Sequence, residues 1–225
     1  MTIDDALVLH DEAPAATSGW STATLRTRLL EVAAAGALAA VLLVLLWLEA
    51  RPDFWSAIGQ PFFWIKGVYT AALAAIALGG AVAAAQARAS ARLALAIGGG
   101  LISVMAVIAA FEAPGLSAAM LTQALDPGGA FACLAYVAVL SAPMLLITGI
   151  GLRGVELARP GLTGLFVGLF CGGVAASVYG LHCLGSTFLF VTLWYTAAVL
   201  ACGALGAAGL KLIARRPLAD LALTD

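Results

Sequence analysis

The sequence predicts an all-α polytopic membrane protein with six transmembrane helices and both termini in the cytoplasm. Three observations carry this: extreme apolar composition, six long apolar runs, and lopsided placement of cations. Of 225 residues, 63% are hydrophobic and 10% charged, with a mean hydropathy of +1.06. A soluble domain is roughly 45–50% apolar and about 25% charged. No soluble fold of this length buries that much apolar surface, so lipid must solvate much of it.

The six runs are Leu29–Leu48, Val68–Ala87, Leu93–Phe111, Ala130–Leu152, Leu162–Leu181 and Phe188–Leu210. Each meets the length of about 20 residues that a spanning helix needs. Within them the one charge is Glu31, near the start of the first. Trp55, Phe62, Phe63 and Trp64 precede the second run, as interfacial aromatics do. The first run is not a cleavable signal, because it lies far from Met1 and five more spans follow. Residues 1–28 then form a cytoplasmic segment, 29–210 the membrane domain and 211–225 a cytoplasmic tail.

Nine of the 11 Lys and Arg residues fall on the side of the N-terminus, leaving only Arg51 and Lys66 opposite. The positive-inside rule then sets the orientation. Lys66 is expected to snorkel to the interface or to pair with one of the outer acids. The net charge of -1 gives no basic field for direct nucleic-acid binding.

Gly164, Gly168, Gly172, Ala176 and Gly180 recur every four residues along the fifth run. Such a stripe lets a second backbone approach closely. It could serve a sliding pair or a homo-oligomer; ordinary packing within the chain is the preferred reading.

Chemistry is sparse. No carboxylate, His or Lys lies mid-span, where proton relays and ion pathways place them. No P-loop, HExxH, GxSxG or CxxC motif occurs. His10 and His182 fall at opposite ends of the topology, against a bis-His haem. Neither enzymatic activity nor a cofactor is expected. Four cysteines remain. Cys171 and Cys202 fall near mid-membrane, as small apolar packers do. Cys133 and Cys183 fall at one outer depth, beside His182. They could form a disulfide. With His182 they could instead bind a thiophilic metal. Depth does not give neighbourhood, so they could also never meet.

The stretch from Arg153 to Lys211 resembles the NrsF family of six-helix bacterial inner-membrane proteins. The residues that carry the resemblance are Arg159-Pro160, the glycine run Gly164 to Gly173, Tyr179-Gly180-Leu181-His182-Cys183, Phe190 and Trp194-Tyr195. Upstream, Arg51-Pro52-Asp53, Phe63-Trp64-Ile65-Lys66, Cys133 and Ser141-Ala142-Pro143 also fit. Where the family tends to carry an acid shortly after His-Cys, this chain has Leu184-Gly185.

The resemblance implies an anti-sigma factor that holds an extracytoplasmic-function sigma factor at the inner face. It implies that Cys133 and Cys183, beside His182, receive a periplasmic signal, an oxidant or a thiophilic metal, with stress-responsive transcription as the output. A sigma-binding surface is then expected in the N-terminal segment, where Asp4, Asp5, Leu7, Val8, Asp11 and Glu12 could fold on a basic partner. The alternatives are a small transporter or channel, which the missing intramembrane charges disfavour, or a redox membrane subunit whose cysteines exchange disulfides.

Overall fold

The structure, a computed structural model, describes residues 21–153 and 155–214. Among these residues there is no strand. Six helices are long and apolar enough to cross a membrane: α1 (Thr22–Leu48), α3 (Pro61–Ala85), α4 (Ser90–Gly115), α6 (Pro127–Gly151), α7 (Pro160–Tyr179) and α8 (Phe188–Ile213). Two short helices, α2 (Phe54–Ala57) and α5 (Ala118–Leu125), lie in the connections.

Local chemistry sets the helix starts. Ser21 caps α1, its hydroxyl accepting from the Thr24 N–H. Residues 22–28, expected outside the first span, are therefore helical. Proline opens α3, α6 and α7, where its fixed φ suits the first turn and its missing N–H removes no helical bond. Asp126 also caps α6, its carboxylate accepting from Gly129 N–H at 2.7 Å. These signals start α3 seven residues before the apolar run begins, which puts Lys66 well inside the helix.

The helices are unequally buried. α3 and α7 form the centre, while α4 and α1 lie at the periphery. α7 makes its largest contacts with α8 and then with α3. Glycine makes both possible. On one side, a Cβ at Gly164 would meet the Gly206 carbonyl, and one at Gly168 the Cys202 carbonyl. On the other side, a Cβ at Gly173 would lie 2.9 Å from the Ala74 Cβ and from the Thr70 carbonyl oxygen. The glycine stripe is thus consumed within one chain.

The helix ends gather at two poles. One carries the ends of α1, α4 and α7 and the starts of α3, α6 and α8, and includes Cys133 and Cys183. At the other, Thr22 Oγ1 and the Gln86 side-chain amide hydrogen-bond at 2.6–3.0 Å, and Ala158 N–H donates to the Ala85 carbonyl at 3.2 Å. These bonds tie the start of α1, the α3–α4 turn and the α6–α7 connection together. Asp4, Asp5, Leu7, Val8, Asp11 and Glu12 lie outside the described residues.

Candidate functional site

Polar contacts gather around Cys183, four residues beyond the end of α7. Cys183 N–H and His182 N–H both donate to the Tyr179 carbonyl, at 3.1 and 3.0 Å. The Cys183 carbonyl accepts from two cations, Lys66 Nζ at 2.7 Å and Arg51 Nη1 at 3.4 Å. Lys66 is 1% exposed. It therefore turns inward on the cysteine loop instead of snorkelling to an interface or pairing with an acid. A buried ammonium needs an acceptor, and the carbonyl of a chain that has just left its helix supplies one.

Arg51 holds the same loop from the α1–α2 connection. Its backbone N–H donates to the Leu181 carbonyl at 3.1 Å, and its guanidinium bridges both Asp53 oxygens at 2.6 and 2.7 Å. Those bonds hold the Asp53 carboxyl below its ordinary range and raise the Arg51 guanidinium above its own. The stabilisation from this pair is present above the ordinary aspartate range and lost as pH falls through the lowered Asp53 value. Protection of the Arg51 and Phe54 amides against hydrogen exchange, taken relative to the intrinsic rate at each pH, should fall on acidification, and Asp53→Asn should abolish that dependence. An unchanged pH profile in the variant would refute the assignment.

His182 braces the neighbouring backbone. Its Nδ1 lies 2.8 Å from the Glu49 carbonyl oxygen. A carbonyl only accepts, so Nδ1 carries the proton. Glu49 has φ 65° and ψ 146°, a conformation that glycine adopts far more readily. The His182 bond helps to hold it there.

The second thiol arrives from another helix. Cys133 and Tyr136 share a face of α6, three residues apart. The Tyr136 ring lies 5.9 Å from both Tyr179 and His182, and Tyr179 lies 5.8 Å from Tyr195. Cys133 and Cys183 are thereby brought within electrostatic reach of each other, of Lys66 and of Tyr195. Both thiols are buried and unbonded. Tyr195 is fully buried, and the Cys183 side chain is a polar neighbour of its hydroxyl. It ends a π-helical turn, Val191–Tyr195, and a second such turn, Val44–Leu48, closes α1 at the same pole. π-turns are rare and recur at functional sites.

Above the thiols opens a cavity of about 470 Å³. Arg51, Tyr179, His182 and Cys183 line it, and Cys133 does not. Among the described residues, no three His, Cys, Asp or Glu side chains stand together as a metal-ligand group. Cys133, Cys183 and His182 thus share a pole without forming such a set. Cys171 and Cys202 lie elsewhere. Cys202 Sγ lies 3.3 Å from Ser141 Oγ, and both cysteines pack in the helical core.

Sequence reasoning chose Cys133, Cys183 and His182 and met Tyr195 only as part of the family resemblance; it missed Tyr136 and the inward path of Lys66. The spacing of Tyr136 from Cys133 and the rarity of cations near this pole were the available signals.

Comparison with known proteins identifies the family. A family profile described as NrsF, negative regulator of sigma F, matches residues 15–215. An Anti-sigma-F factor NrsF of Caulobacter vibrioides is 41% identical over 182 residues, covering 80% of this chain and 84% of that protein. A Probable anti-sigma-F factor NrsF of Azospira oryzae is 30% identical over 177 residues, covering 76% of this chain and 80% of that protein. No solved structure matches. The chain belongs to the NrsF family of negative regulators of sigma F.

Proposed function

We propose that this protein is an anti-sigma factor of the bacterial inner membrane, oriented with both termini inside. It holds an extracytoplasmic-function sigma factor at the inner face and releases it when an oxidant alters Cys133 and Cys183 outside. The observation that carries the signalling part is the convergence of these two cysteines, from different helices, on one buried aromatic pocket. Family membership and the names of its relatives support the sigma-factor partner.

The mechanism follows from how α7 is held. Cys183 begins the loop between α7 and α8, and these two helices are in backbone contact along the glycine stripe. A change in the Cys133–Cys183 relationship therefore acts on a packed pair, not on a loose loop. Packed interfaces move between discrete arrangements. A shift at one pole reaches the opposite pole, where the start of α1 is bonded to the α3–α4 turn. The N-terminal segment with Asp4, Asp5, Leu7, Val8, Asp11 and Glu12 leads into that start and supplies acidic and apolar contacts to the sigma factor.

The test is co-purification of an extracytoplasmic-function sigma factor from the native host, using the full chain and a chain lacking residues 1–20. Retention by the full chain and loss without residues 1–20 is expected. If no sigma factor associates with the full chain, the reading fails. If the shortened chain binds equally well, the N-terminal surface is wrong.

A further inference from the structure

A slot of about 320 Å³ opens between α6 and α8, toward the pole opposite Cys133 and Cys183. Its walls are one face of α6, from Ala142 to Arg153, and the last turns of α8, from Leu205 to Ile213, with the buried Val167 of α7 at the back. Leu146, Ile150 and Leu205 on its edges are exposed, so it opens toward lipid. From Ala142 to the end of α6 at Gly151 the helix rises about 14 Å. That is close to the half-thickness of a bilayer's hydrocarbon core, about 15 Å. Arg153 then stands at headgroup level, and the deep end of the slot lies near the midplane.

The lining is apolar except for Arg153. Among the described residues no carboxylate pairs with its guanidinium. Two glycines leave the slot empty. A Cβ at Gly209 would meet nothing within 4 Å, and one at Gly149 would make an ordinary contact with Ile213 Cδ1 at 3.6 Å. Packing within the chain therefore demands glycine at neither position, unlike Gly164, Gly168 or Gly206, where a Cβ runs into main chain. Glycine is a poor helix former, and an unfilled apolar gap forfeits the dispersion contacts of its walls.

We propose that the slot holds one acyl chain of an anionic glycerophospholipid, with the lipid phosphate on Arg153. The length suits a single chain reaching from headgroup to midplane. The volume, drawn out over that length, is too narrow for a second helix, which is about 10–12 Å across with its side chains. The cation at its mouth favours an anionic headgroup over a zwitterionic one, and a planar guanidinium matches phosphate. In the orientation proposed above, this end faces the inner leaflet. The site also backs onto the glycine stripe. Gly206 lines the slot and lies against Gly164 of α7. A lipid that binds only the joined helices stabilises their contact by mass action. The inference rests on neither the thiol reading nor the sigma-factor reading.

The experiment places the purified full-length protein in phosphatidylcholine nanodiscs. A small fraction of phosphatidylglycerol carries a photoreactive group midway along one acyl chain, and crosslinks are located by mass spectrometry. A matched phosphatidylcholine probe is run in parallel. Crosslinks at Leu145, Val167 or Leu210 are expected. Their yield should be about fivefold higher with phosphatidylglycerol, the factor that one favourable charge near a membrane surface supplies. Arg153→Gln should bring the two probes level, whereas Arg92→Gln, on α4 and outside the slot, should keep the preference. Gly209→Leu fills the slot from a position with room for a side chain, so it should abolish crosslinking there while the protein still folds. It carries the test if Arg153→Gln fails to fold. Crosslinks spread evenly over α1 and α4 as well would mean general solvation by the bilayer and overturn the site. Equal yields from the two probes in the wild type would overturn the anionic headgroup, and a preference that survives Arg153→Gln would overturn the role of Arg153. A dimer in native mass spectrometry that Gly209→Leu dissolves, with no lipid crosslinked in the slot, would give the slot to a second copy and overturn the proposal.

Discussion

Gly168→Val should break the packing of α7 on α8 and leave the regulated genes permanently on. A Cβ at this position would run into the Cys202 carbonyl and lie 2.7 Å from the Gly203 Cα. Both obstacles are main chain, so no side-chain rotation relieves them, and the two helices must separate. Overpacking a core costs about 1–3 kcal/mol. Because the clash is with backbone, the upper end of that range, about 3 kcal/mol, is expected. Gly164→Ala tests the same interface one turn away, against the Gly206 carbonyl. The control is Gly100→Ala, where an added methyl meets nothing within 4 Å. It should be neutral, or stabilising by up to about 1 kcal/mol through helix propensity. Thermal unfolding in detergent separates the cases. A Gly168→Val protein as stable as wild type would show that the stripe does not hold the two helices together.

This interface also illustrates what the sequence made legible. The four-residue recurrence from Gly164 to Gly180 announced a close helix contact, but not its partner. Packing within the chain was the preferred reading of the stripe, and Gly206 and Cys202 are what lies against it. The spans were legible because twenty apolar residues in a row have few soluble uses. Their starts were less so, since hydropathy discounts segments such as Pro61–Lys66, although proline at the first helical position was there to be read.

The thiol site divides in the same way. Membrane depth sorted Cys133 and Cys183 from Cys171 and Cys202. Depth carries no angular information, so the convergence of Tyr136, Tyr179 and Tyr195 on Cys133 and Cys183 was hidden. Lys66 was the sharpest divergence. A lysine near the start of a span ordinarily reaches for water. Here the carbonyl of a residue 117 positions away satisfies it inside the protein, a contact that exists only once α3 and α7 have packed.

Cys183→Ser and Cys133→Ser should each lock the regulated genes off under oxidant, while Cys171→Ala and Cys202→Ala should respond as wild type. Serine preserves the size of the thiol and can form no disulfide, so the rearrangement that frees the sigma factor would not occur. Cys171 and Cys202 are core packers, and shortening them should cost about 1 kcal/mol of stability without touching the signal. Reporter transcription with and without oxidant, alongside the protein level of each variant, measures this. Induction at wild-type strength in both serine variants would remove the cysteines from the mechanism. The direction of the change separates sensing from folding. An anti-sigma factor that fails to fold releases its partner, so a merely structural cysteine would turn transcription on when replaced, as Gly168→Val is expected to do. A cysteine that carries the signal leaves the folded, inhibiting state intact and makes it deaf. Opposite signs in one assay, from substitutions in the same helix bundle, are what a sensor at one pole and a tight helix pair beneath it require.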